Sequence, residues 1–264
     1  MKKNKSVKKQ PKTVIANLSE YETIPISIPE DYMEHFDFIN LGAKNGGMEA
    51  YARKMFNGQR GLHFEIEEEG IKVMEEKGIS CVQADVTNLI VPKNCVDFVI
   101  ATGTIEHLMD LEAVKKMIEI SANAATDFIY LTWPWFDSDD YLKDLGFIPY
   151  PSSWPIHSCH VTISDLKKIL KELSLEGIFM AWPKIPDSSH YSILPIDYPK
   201  NIGPEDLDKW GQVNEYKPKY GHKPMVKFTE PVYFESVCFI PLRRDSEKTI
   251  RSFEVIRKYG WDFV

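Results

Sequence analysis

Apolar and polar positions along this 264-residue chain follow two periods, one typical of buried strands and one typical of amphipathic helices. From Phe36 to Met55, an apolar stretch is followed by a glycine-rich segment and then by a helical pattern. In that pattern Met48, Tyr51, Ala52 and Met55 recur at i, i+3, i+4 and i+7, which gives a helix one face to pack on a sheet. The segment therefore predicts a strand, a turn and a helix.

The same alternation continues along the chain. Five further strands are predicted at 61–66, 80–85, 96–102, 127–134 and 177–182, and a last strand lies within 231–242. Two helical faces are marked by Leu111, Val114, Met117 and Ile118, and by Leu166, Ile169, Leu170 and Leu173. Strands that alternate with helices favour an α/β fold. We expect a Rossmann-like, doubly wound sheet, mostly parallel with an antiparallel last strand.

Glycines and acids fall where a ligand would sit in such a sheet. Gly42 permits a sharp exit from the first strand, and Gly46 lets the backbone approach a ligand at the start of the next helix. A purely structural turn would use the same glycines, so both interpretations stay open. Glu65 ends the second strand and Asp85 ends the third, at the sheet edge where ligands of α/β folds bind.

These motifs together resemble the class I S-adenosylmethionine-dependent methyltransferases, closest to the small-molecule "type 11" kind, over Phe36 to about Met180. The family's first motif is acid-x-Gly-x-Gly-x-Gly, and FINLGAKNGG aligns with it. Two positions depart, because Asn40 stands where the family has an acid and Lys44 where it has the middle glycine. A neutral amide supplies no charge to the methionine ammonium, and Lys44 is expected to point to solvent or to the methionine carboxylate.

The resemblance implies a set of cofactor contacts. Glu65 would accept the ribose hydroxyls, Asp85 the adenine amino group with Val86 nearby, and the Thr102-Gly103 corner would lie beside the sulfonium. The whole cofactor-binding set comprises Asn40, Gly42, Ala43, Lys44, Gly46, Glu65, Ile66, Asp85, Val86, Thr102 and Gly103.

The part of the chain expected to bind the methyl acceptor shows weaker sequence patterns. His160 is the first candidate for a general base and His157 the second, although each suits an ordinary loop histidine as well. Cys159 lies between them, but three ligands so close in sequence rarely all reach one ion, so no metal is expected. Trp133 and Trp135 are candidates for an apolar acceptor wall or for plain packing. The Asn-Pro-Pro-aromatic signature is absent after the fourth strand, which favours an oxygen or amine of a small molecule as acceptor.

Charge and composition limit the kinds of partner that the chain is expected to bind. The net charge is −7, and the first twelve residues hold six lysines and no acid, which leaves the remainder at −13. Such an acidic body makes nucleic acid an unlikely substrate. We expect a disordered basic tail at 1–20, although it could hold RNA or an anionic surface. No apolar run is long enough to span a bilayer, no signal peptide is evident, and four unpaired cysteines favour the cytoplasm.

The domain organisation follows from these patterns. A cofactor-binding core is predicted at 21–182, a lid or acceptor-site insertion at 183–230, and a final strand and helix that complete the core at 231–264. Two alternatives remain open. One is a methyltransferase-like protein that binds without catalysis, which Asn40 and Lys44 would explain. The other is a nicotinamide-dependent reductase. Many short-chain reductases use a Tyr-x-x-x-Lys pair, and no tyrosine in this sequence has a lysine four residues later, which argues against this alternative.

Overall fold

The computed structural model describes residues 25–197 and 223–264. Its strands are β1 Ile26–Ser27, β2 Phe38–Leu41, β3 Gly61–Glu65, β4 Cys81–Gln83, β5 Leu89–Ile90, β6 Val96–Thr102, β7 Ala125–Pro134, β8 Phe147–Pro149, β9 Ile178–Lys184, β10 Ile193–Pro195, β11 Tyr233–Pro241 and β12 Asp262–Phe263. Its α-helices are α1 Glu30–Met33, α2 Met48–Phe56, α3 Glu68–Glu76, α4 Leu111–Ala124, α5 Asp139–Asp144, α6 Ile163–Glu172 and α7 Glu247–Arg257.

Eight strands form one sheet in the order β12-β9-β11-β7-β6-β2-β3-β4. β2 pairs in parallel with both β3 and β6, and β3 pairs in parallel with β4. β11 and β12 each pair antiparallel with β9. The predicted α/β sheet, mostly parallel with an antiparallel strand near the C-terminus, is therefore confirmed.

All seven predicted strands are present, with shifted ends. The predicted strand at 80–85 covers only Cys81–Gln83, because the carboxylate of Asp85 accepts hydrogen bonds from the backbone N–H and hydroxyl of Thr87, both at 2.8 Å. This Asx turn takes the backbone out of the strand. Five shorter strands were not predicted, among them β1, which pairs with β5, and β8, which pairs with β10.

The chain divides into two compact units, and the first contains the described residues 25–101, 116–129 and 241–255. Its core includes a stack of three buried rings, in which the centroid of Phe98 lies 5.2 Å from that of Phe38 and 4.9 Å from that of Phe128. A Cβ at Gly61 would lie 2.3 Å from Phe38 Cζ. The close packing of this ring stack therefore explains the glycine that begins β3.

The second unit contains the described residues 102–115, 130–197, 223–240 and 256–264. One of its core clusters comprises Leu142, Phe147, Ile185, Ile193 and Val232. Helix α6 begins at a capping box, in which the Thr162 hydroxyl accepts the Asp165 N–H and the Asp165 carboxylate accepts the Thr162 N–H. This box fixes where the loop ends and the helix starts.

The predicted lid at 183–230 is described at its two ends only. β9 extends into it as far as Lys184, and β10 lies within it. The backbones of Asp187 and Lys227 pair in an isolated antiparallel β-bridge. Residues 198–222, like the predicted basic tail at 1–20, lie outside the described residues. Within the described ranges, no helix combines the length and the apolar character needed to cross a membrane.

Candidate functional site

The loop between β2 and α2 contains three residues in the left-handed region of backbone space. The φ angle is +71° at Gly42, +50° at Lys44 and +77° at Gly46. Glycine adopts such angles without strain, whereas lysine does so rarely. The Lys44 side chain is exposed, which is one of the two orientations predicted for it.

Packing requires glycine at one of the two adjacent positions that end this loop. A Cβ at Gly46 would lie 2.7 Å from Ile79 Cδ1 and 3.0 Å from Met74 Cγ. At Gly47 the φ angle is −58° and the nearest atom to an added Cβ would be Asn45 Oδ1 at 3.4 Å. The loop therefore depends on Gly46, and Gly47 is replaceable.

Glu65, at the end of β3, is buried, and three backbone N–H groups hold its carboxylate. Oε2 accepts the N–H of Lys44 at 2.5 Å, while Oε1 accepts those of Ile66 at 2.8 Å and Glu67 at 2.9 Å. Hydrogen bonds to a charged acceptor are strong, so the side chain is held in one orientation. A carboxylate has about four acceptor sites, which leaves one lone pair of Oε2 for a ligand hydroxyl.

Gly70 of α3 packs against the loop and Glu65, a contact that the sequence did not predict. A Cβ there would lie 2.2 Å from the carbonyl oxygen of Lys44 and 3.0 Å from Cγ of Glu65. Helix α3 can therefore approach the loop and the acid only because residue 70 has no side chain. The available signal was a glycine inside a helical pattern, which costs about 1 kcal/mol relative to alanine and usually has a packing reason.

Asn40 is fully buried at the foot of the loop and belongs to a hydrogen-bonded chain. Its Nδ2 lies 3.1 Å from Nδ1 of His63, whose Nε2 lies 3.0 Å from Oε2 of Glu49. The Oδ1 atom of Asn40 is buried and has no partner among the described residues. A buried acceptor without a partner needs an explanation, and a ligand ammonium or an ordered water would supply one.

The next strand end carries the second predicted acid. Glu65 pairs with Gln83 in the β3–β4 register, and Asp85 follows β4 in its Asx turn. Val86 is buried, while the side chain of Ile66 is 56% exposed. An exposed apolar side chain directly after Glu65 offers a surface to the ring of a ligand.

The Thr102-Gly103 corner closes β6. Gly103 has a φ angle of +62°, and its N–H donates to the carbonyl of Thr132 at 2.9 Å. A Cβ at this position would meet Glu106 Oε1 at 3.5 Å, an ordinary contact. The backbone angle, and not the available space, therefore requires this glycine.

His160 lines a cavity of about 480 Å³ in the second unit. Its Nδ1 lies 3.2 Å from Oδ2 of Asp139, and its ring stacks on Phe136 at 4.3 Å between centroids. Burial raises the pKa of Asp139 to about 6, so its carboxylate is ionised at pH 7 and accepts the Nδ1–H of His160. The hydroxyl of Ser152 donates to the other oxygen of Asp139 at 2.8 Å. Nε2 of His160 is then the nitrogen that can take a proton.

His157 has different partners from His160. It is buried, its Nδ1 lies 2.7 Å from the carbonyl oxygen of Pro151, and its ring packs against Trp154 at 4.9 Å between centroids. Burial lowers the pKa of His157 to about 4. The ring is therefore neutral at physiological pH and is a weaker base than a free imidazole.

The structure places His157 beside Glu106 and His107, a grouping that the sequence analysis did not predict. One ligand atom from each of the three lies within 4.8 Å of the others, and among the described residues this is the one such group that could hold a metal ion. The sequential trio that includes Cys159 does not form one. Burial raises the pKa of Glu106 to about 8 and that of the Cys159 thiol to about 11.

The two tryptophans after β7 belong to the packed interior. Trp133 is buried and its Nε1–H donates to the carbonyl of Val161 at 2.8 Å. Trp135 is buried and packs against Tyr233 at 4.9 Å between centroids. Neither is among the residues that line the cavity beside His160, and their use as an acceptor wall stays a prediction.

Residues 39–120 match a family model described as "Methyltransferase domain". The matched region is an S-adenosylmethionine-dependent methyltransferase domain. S-adenosylmethionine is accordingly its cofactor. The matched methyltransferase region contains the loop after β2, Glu65, Asp85 and the Thr102-Gly103 corner, and it ends before His157 and His160.

Several solved structures are similar to this methyltransferase. One is a SAM-dependent methyltransferase from Archaeoglobus fulgidus, with 14% identity, a TM-score of 0.49, and coverage of 80% of this chain and 90% of that one. Another is the magnesium protoporphyrin IX methyltransferase from Synechocystis PCC 6803 with bound SAH, with 14% identity, a TM-score of 0.43, and coverage of 80% and 76%. A third is a possible histamine N-methyltransferase from Thermotoga maritima, with 12% identity, a TM-score of 0.48, and coverage of 79% and 83%. No curated protein sequence matches the chain.

Proposed function

We propose that this methyltransferase moves a methyl group to an oxygen or amine of a small-molecule acceptor. The observation that carries the proposal is the cavity of about 480 Å³ that His160 lines. Its volume lies within the range of about 300–1,000 Å³ typical of small-molecule sites. Its lining combines apolar side chains with a few charged ones, which suits a compact and partly polar acceptor.

The cofactor contacts in this proposal follow the ends of the parallel strands. Glu65 would accept a ribose hydroxyl, Asp85 and the backbone of Val86 would hold adenine, and Ile66 would contact the adenine ring. The glycine loop would hold the methionine moiety, and Thr102 and Gly103 would hold the sulfonium end. The loop residues are Asn40, Gly42, Ala43, Lys44 and Gly46.

Two observations support the fit of these residues to the cofactor. The Glu65 carboxylate is held by three backbone N–H groups with one lone pair remaining, so a hydroxyl donor can bind without reorganising the side chain. The buried Oδ1 of Asn40 lacks a partner, which a donor such as an ammonium would provide. S-adenosylmethionine supplies an electrophilic methyl group when it is bound.

The chain's own part in the chemistry is to position the acceptor and to take its proton. His160 is the proposed general base, because Asp139 holds its Nδ1–H and leaves Nε2 able to accept a proton from a hydroxyl or ammonium acceptor. His157 is the second choice, since its lowered pKa weakens it as a base. General-base assistance is worth about 10²–10⁴-fold in rate.

The wider organisation is part of the same proposal. The described parts of the predicted core, within 25–182 and 231–264, hold the cofactor and the catalytic groups in this proposal, and the described ends of the predicted lid, 183–197 and 223–230, belong to the acceptor side. The four cysteines, Cys81, Cys95, Cys159 and Cys238, are all free thiols, which supports a reducing cytoplasmic setting.

A second candidate function is cofactor binding without catalysis. The observation that favours it is the departure at two loop positions, where Asn40 contributes no charge and Lys44 has a φ angle of +50°. Weak cofactor affinity with no turnover would be the expected behaviour of such a protein.

Calorimetric titration of the full chain with S-adenosylmethionine and SAH, with NADH as the negative control, tests the proposal. Micromolar affinity for both sulfur ligands is expected, with at least a 10-fold loss in Glu65→Gln. Glu68→Gln is the matched control, since this acid is exposed and, within the described ranges, pairs with Lys72 one turn later. Equal affinity in the two variants would overturn the role of Glu65.

Turnover is measured separately with a methyl-labelled cofactor and a panel of small alcohols, phenols and amines. Transfer that falls at least 100-fold in His160→Ala, with cofactor affinity unchanged, supports the proposed base. Cofactor binding with no transfer to any member of the panel would favour the second candidate.

A further inference from the structure

Three potential metal ligands converge in the second unit although they are far apart in sequence. Glu106 and His107 lie in the short helical turn Ile105–His107 after β6, and His157 follows the turn Pro151–Ser153. One ligand atom from each lies within 4.8 Å of the other two. Two imidazoles and one carboxylate form a donor set that suits divalent transition metals.

Backbone carbonyls fix which nitrogen of each imidazole carries its proton. Nδ1 of His107 lies 3.2 Å from the carbonyl oxygen of Ile156, and Nδ1 of His157 lies 2.7 Å from that of Pro151. A carbonyl oxygen only accepts, so both Nδ1 atoms are protonated and both Nε2 atoms carry the lone pair. Metal-binding histidines typically show this arrangement, in which the second nitrogen donates to a carbonyl or carboxylate.

The third side chain supplies an independent observation. Glu106 is 3% exposed, and its Oε2 atom is buried without a hydrogen-bond partner among the described residues. Leaving a carboxylate oxygen buried and unpaired is unfavourable, and a bound cation would satisfy it. The described residues therefore offer no partner to Oε2 of this buried acid, which lies beside two oriented imidazoles.

Hydrogen bonds between protein groups hold the two segments together. The N–H of Cys159 donates to the carbonyl of Glu106 at 3.1 Å, and the hydroxyl of Ser158 donates to the carbonyl of Leu108 at 2.8 Å. With the bond from His107 to Ile156, they form three links between the turn and the His157 segment. These hydrogen bonds keep the three ligands near one another, which lowers the cost of ordering them on metal binding.

We propose that Glu106, His107 and His157 form a binding site for a divalent transition metal, with Zn²⁺ as the best match. This site goes beyond the proposed methyl transfer and stands whether or not that proposal holds. Tetrahedral coordination at about 2.1 Å separates ligand atoms by about 3.4 Å, so the three atoms move together by about 1 Å on binding. His107 is exposed, which leaves the remaining coordination position open to water or to an oxygen ligand.

Metal binding to the full, chelator-treated chain tests the proposal. We expect one Zn²⁺ per chain in competition with a chromophoric chelator, and a Co²⁺ complex with the visible absorption of a four- or five-coordinate ion. His107→Ala and Glu106→Gln should each weaken Zn²⁺ binding at least 10-fold. Mg²⁺ should bind far more weakly, because it prefers an all-oxygen octahedral site.

Matched variants separate this site from other histidines of the chain. His160→Ala removes the histidine of the sequential trio and should leave the Zn²⁺ affinity unchanged. His107→Cys replaces one zinc ligand with another and should restore most of the affinity lost in His107→Ala. Circular dichroism melts confirm that each variant is folded, which is expected for the exposed His107.

Three results would overturn the assignment. The first is Zn²⁺ binding by the folded wild-type chain that is weaker than about 100 μM, an affinity expected of scattered surface ligands. The second is equal affinity in wild type, His107→Ala and Glu106→Gln, which places the ion elsewhere. The third is an equal loss in His160→Ala, which would assign the ion to the 157–160 segment.

Discussion

The substitution Gly70→Ala tests how the cofactor loop is built, because two effects of known size oppose each other there. Inside a helix, alanine is more favourable than glycine by about 1 kcal/mol, so without any contact the variant would be more stable than wild type. In the structure the new Cβ would lie 2.2 Å from the carbonyl oxygen of Lys44. Ordinary contacts begin near 3.4 Å, so the loop or the helix must move by about 1 Å.

Overpacking of this kind costs about 1–3 kcal/mol. The net expectation for Gly70→Ala is a free energy of unfolding lower by up to about 2 kcal/mol, measured by urea denaturation. The shift also moves the Lys44 N–H away from Oε2 of Glu65, so SAH affinity in calorimetry should fall at least 10-fold. Gly47→Ala is the control, since residue 47 lies in the same loop with a φ angle of −58° and has space for a Cβ.

One result would refute this reasoning. If Gly70→Ala were more stable than wild type by about 1 kcal/mol and bound SAH with unchanged affinity, helix propensity alone would decide the outcome. The close approach of α3 to the loop would then have no energetic weight.

Further predictions concern the second unit. Thr162→Ala removes the N-cap of α6 and should lower the free energy of unfolding by about 0.5–2 kcal/mol in urea denaturation, with Thr162→Ser close to wild type. Trp133→Phe leaves the buried carbonyl of Val161 without its donor at 2.8 Å, so the free energy of unfolding in urea should fall by about 1–3 kcal/mol. A decrease below about 0.5 kcal/mol would contradict a contribution of this hydrogen bond to stability. Because burial raises the pKa of Asp139 from 3.8 to about 6, the stability that its protonated form contributes is complete below pH 3.8 and is lost as the pH rises through 6. Asp139→Asn should therefore be more stable than wild type at pH 8 by about 1–3 kcal/mol and should lose this advantage near pH 4. Its methyl transfer should fall at least 10-fold, because His160 loses its carboxylate partner. Equal urea midpoints of the two proteins at pH 8 would contradict the stability prediction.

The sequence was sufficient to predict the elements whose apolar pattern is long. β6 and β7 span seven and ten residues of nearly continuous apolar sequence, and both were predicted within two residues of their ends. β1, β5 and β12 contain two residues each, and no periodicity exists over two residues. Such strands form because a neighbouring segment offers backbone partners, which only the folded chain specifies.

For the candidate site too, features set by nearby residues could be predicted from the sequence, and contacts between distant residues could not. The Gly42–Gly46 loop and Glu65 follow directly from local spacing, because a parallel strand must end at the ligand edge of its sheet. The hydrogen-bond partners of the histidines do not follow from local spacing. Asp139 and His160 are 21 residues apart, and the bond from His107 to Ile156 spans 49 residues. Local spacing therefore groups His157 with Cys159 and His160, whereas the structure places it beside Glu106 and His107.

The departure at Lys44 shows why a motif is best judged with its surroundings. Taken alone, a lysine at the middle glycine of the loop indicates a damaged site, since its φ angle of +50° is strained for any side chain. In the structure its N–H is bonded to the Glu65 carboxylate, and its carbonyl lies against a helix that has glycine at position 70. The strain is thus offset by a hydrogen bond to a charged acceptor and by a close approach that one absent side chain permits. Local rules are usually broken where neighbouring residues compensate, so a lysine at this position is compatible with the proposed cofactor site.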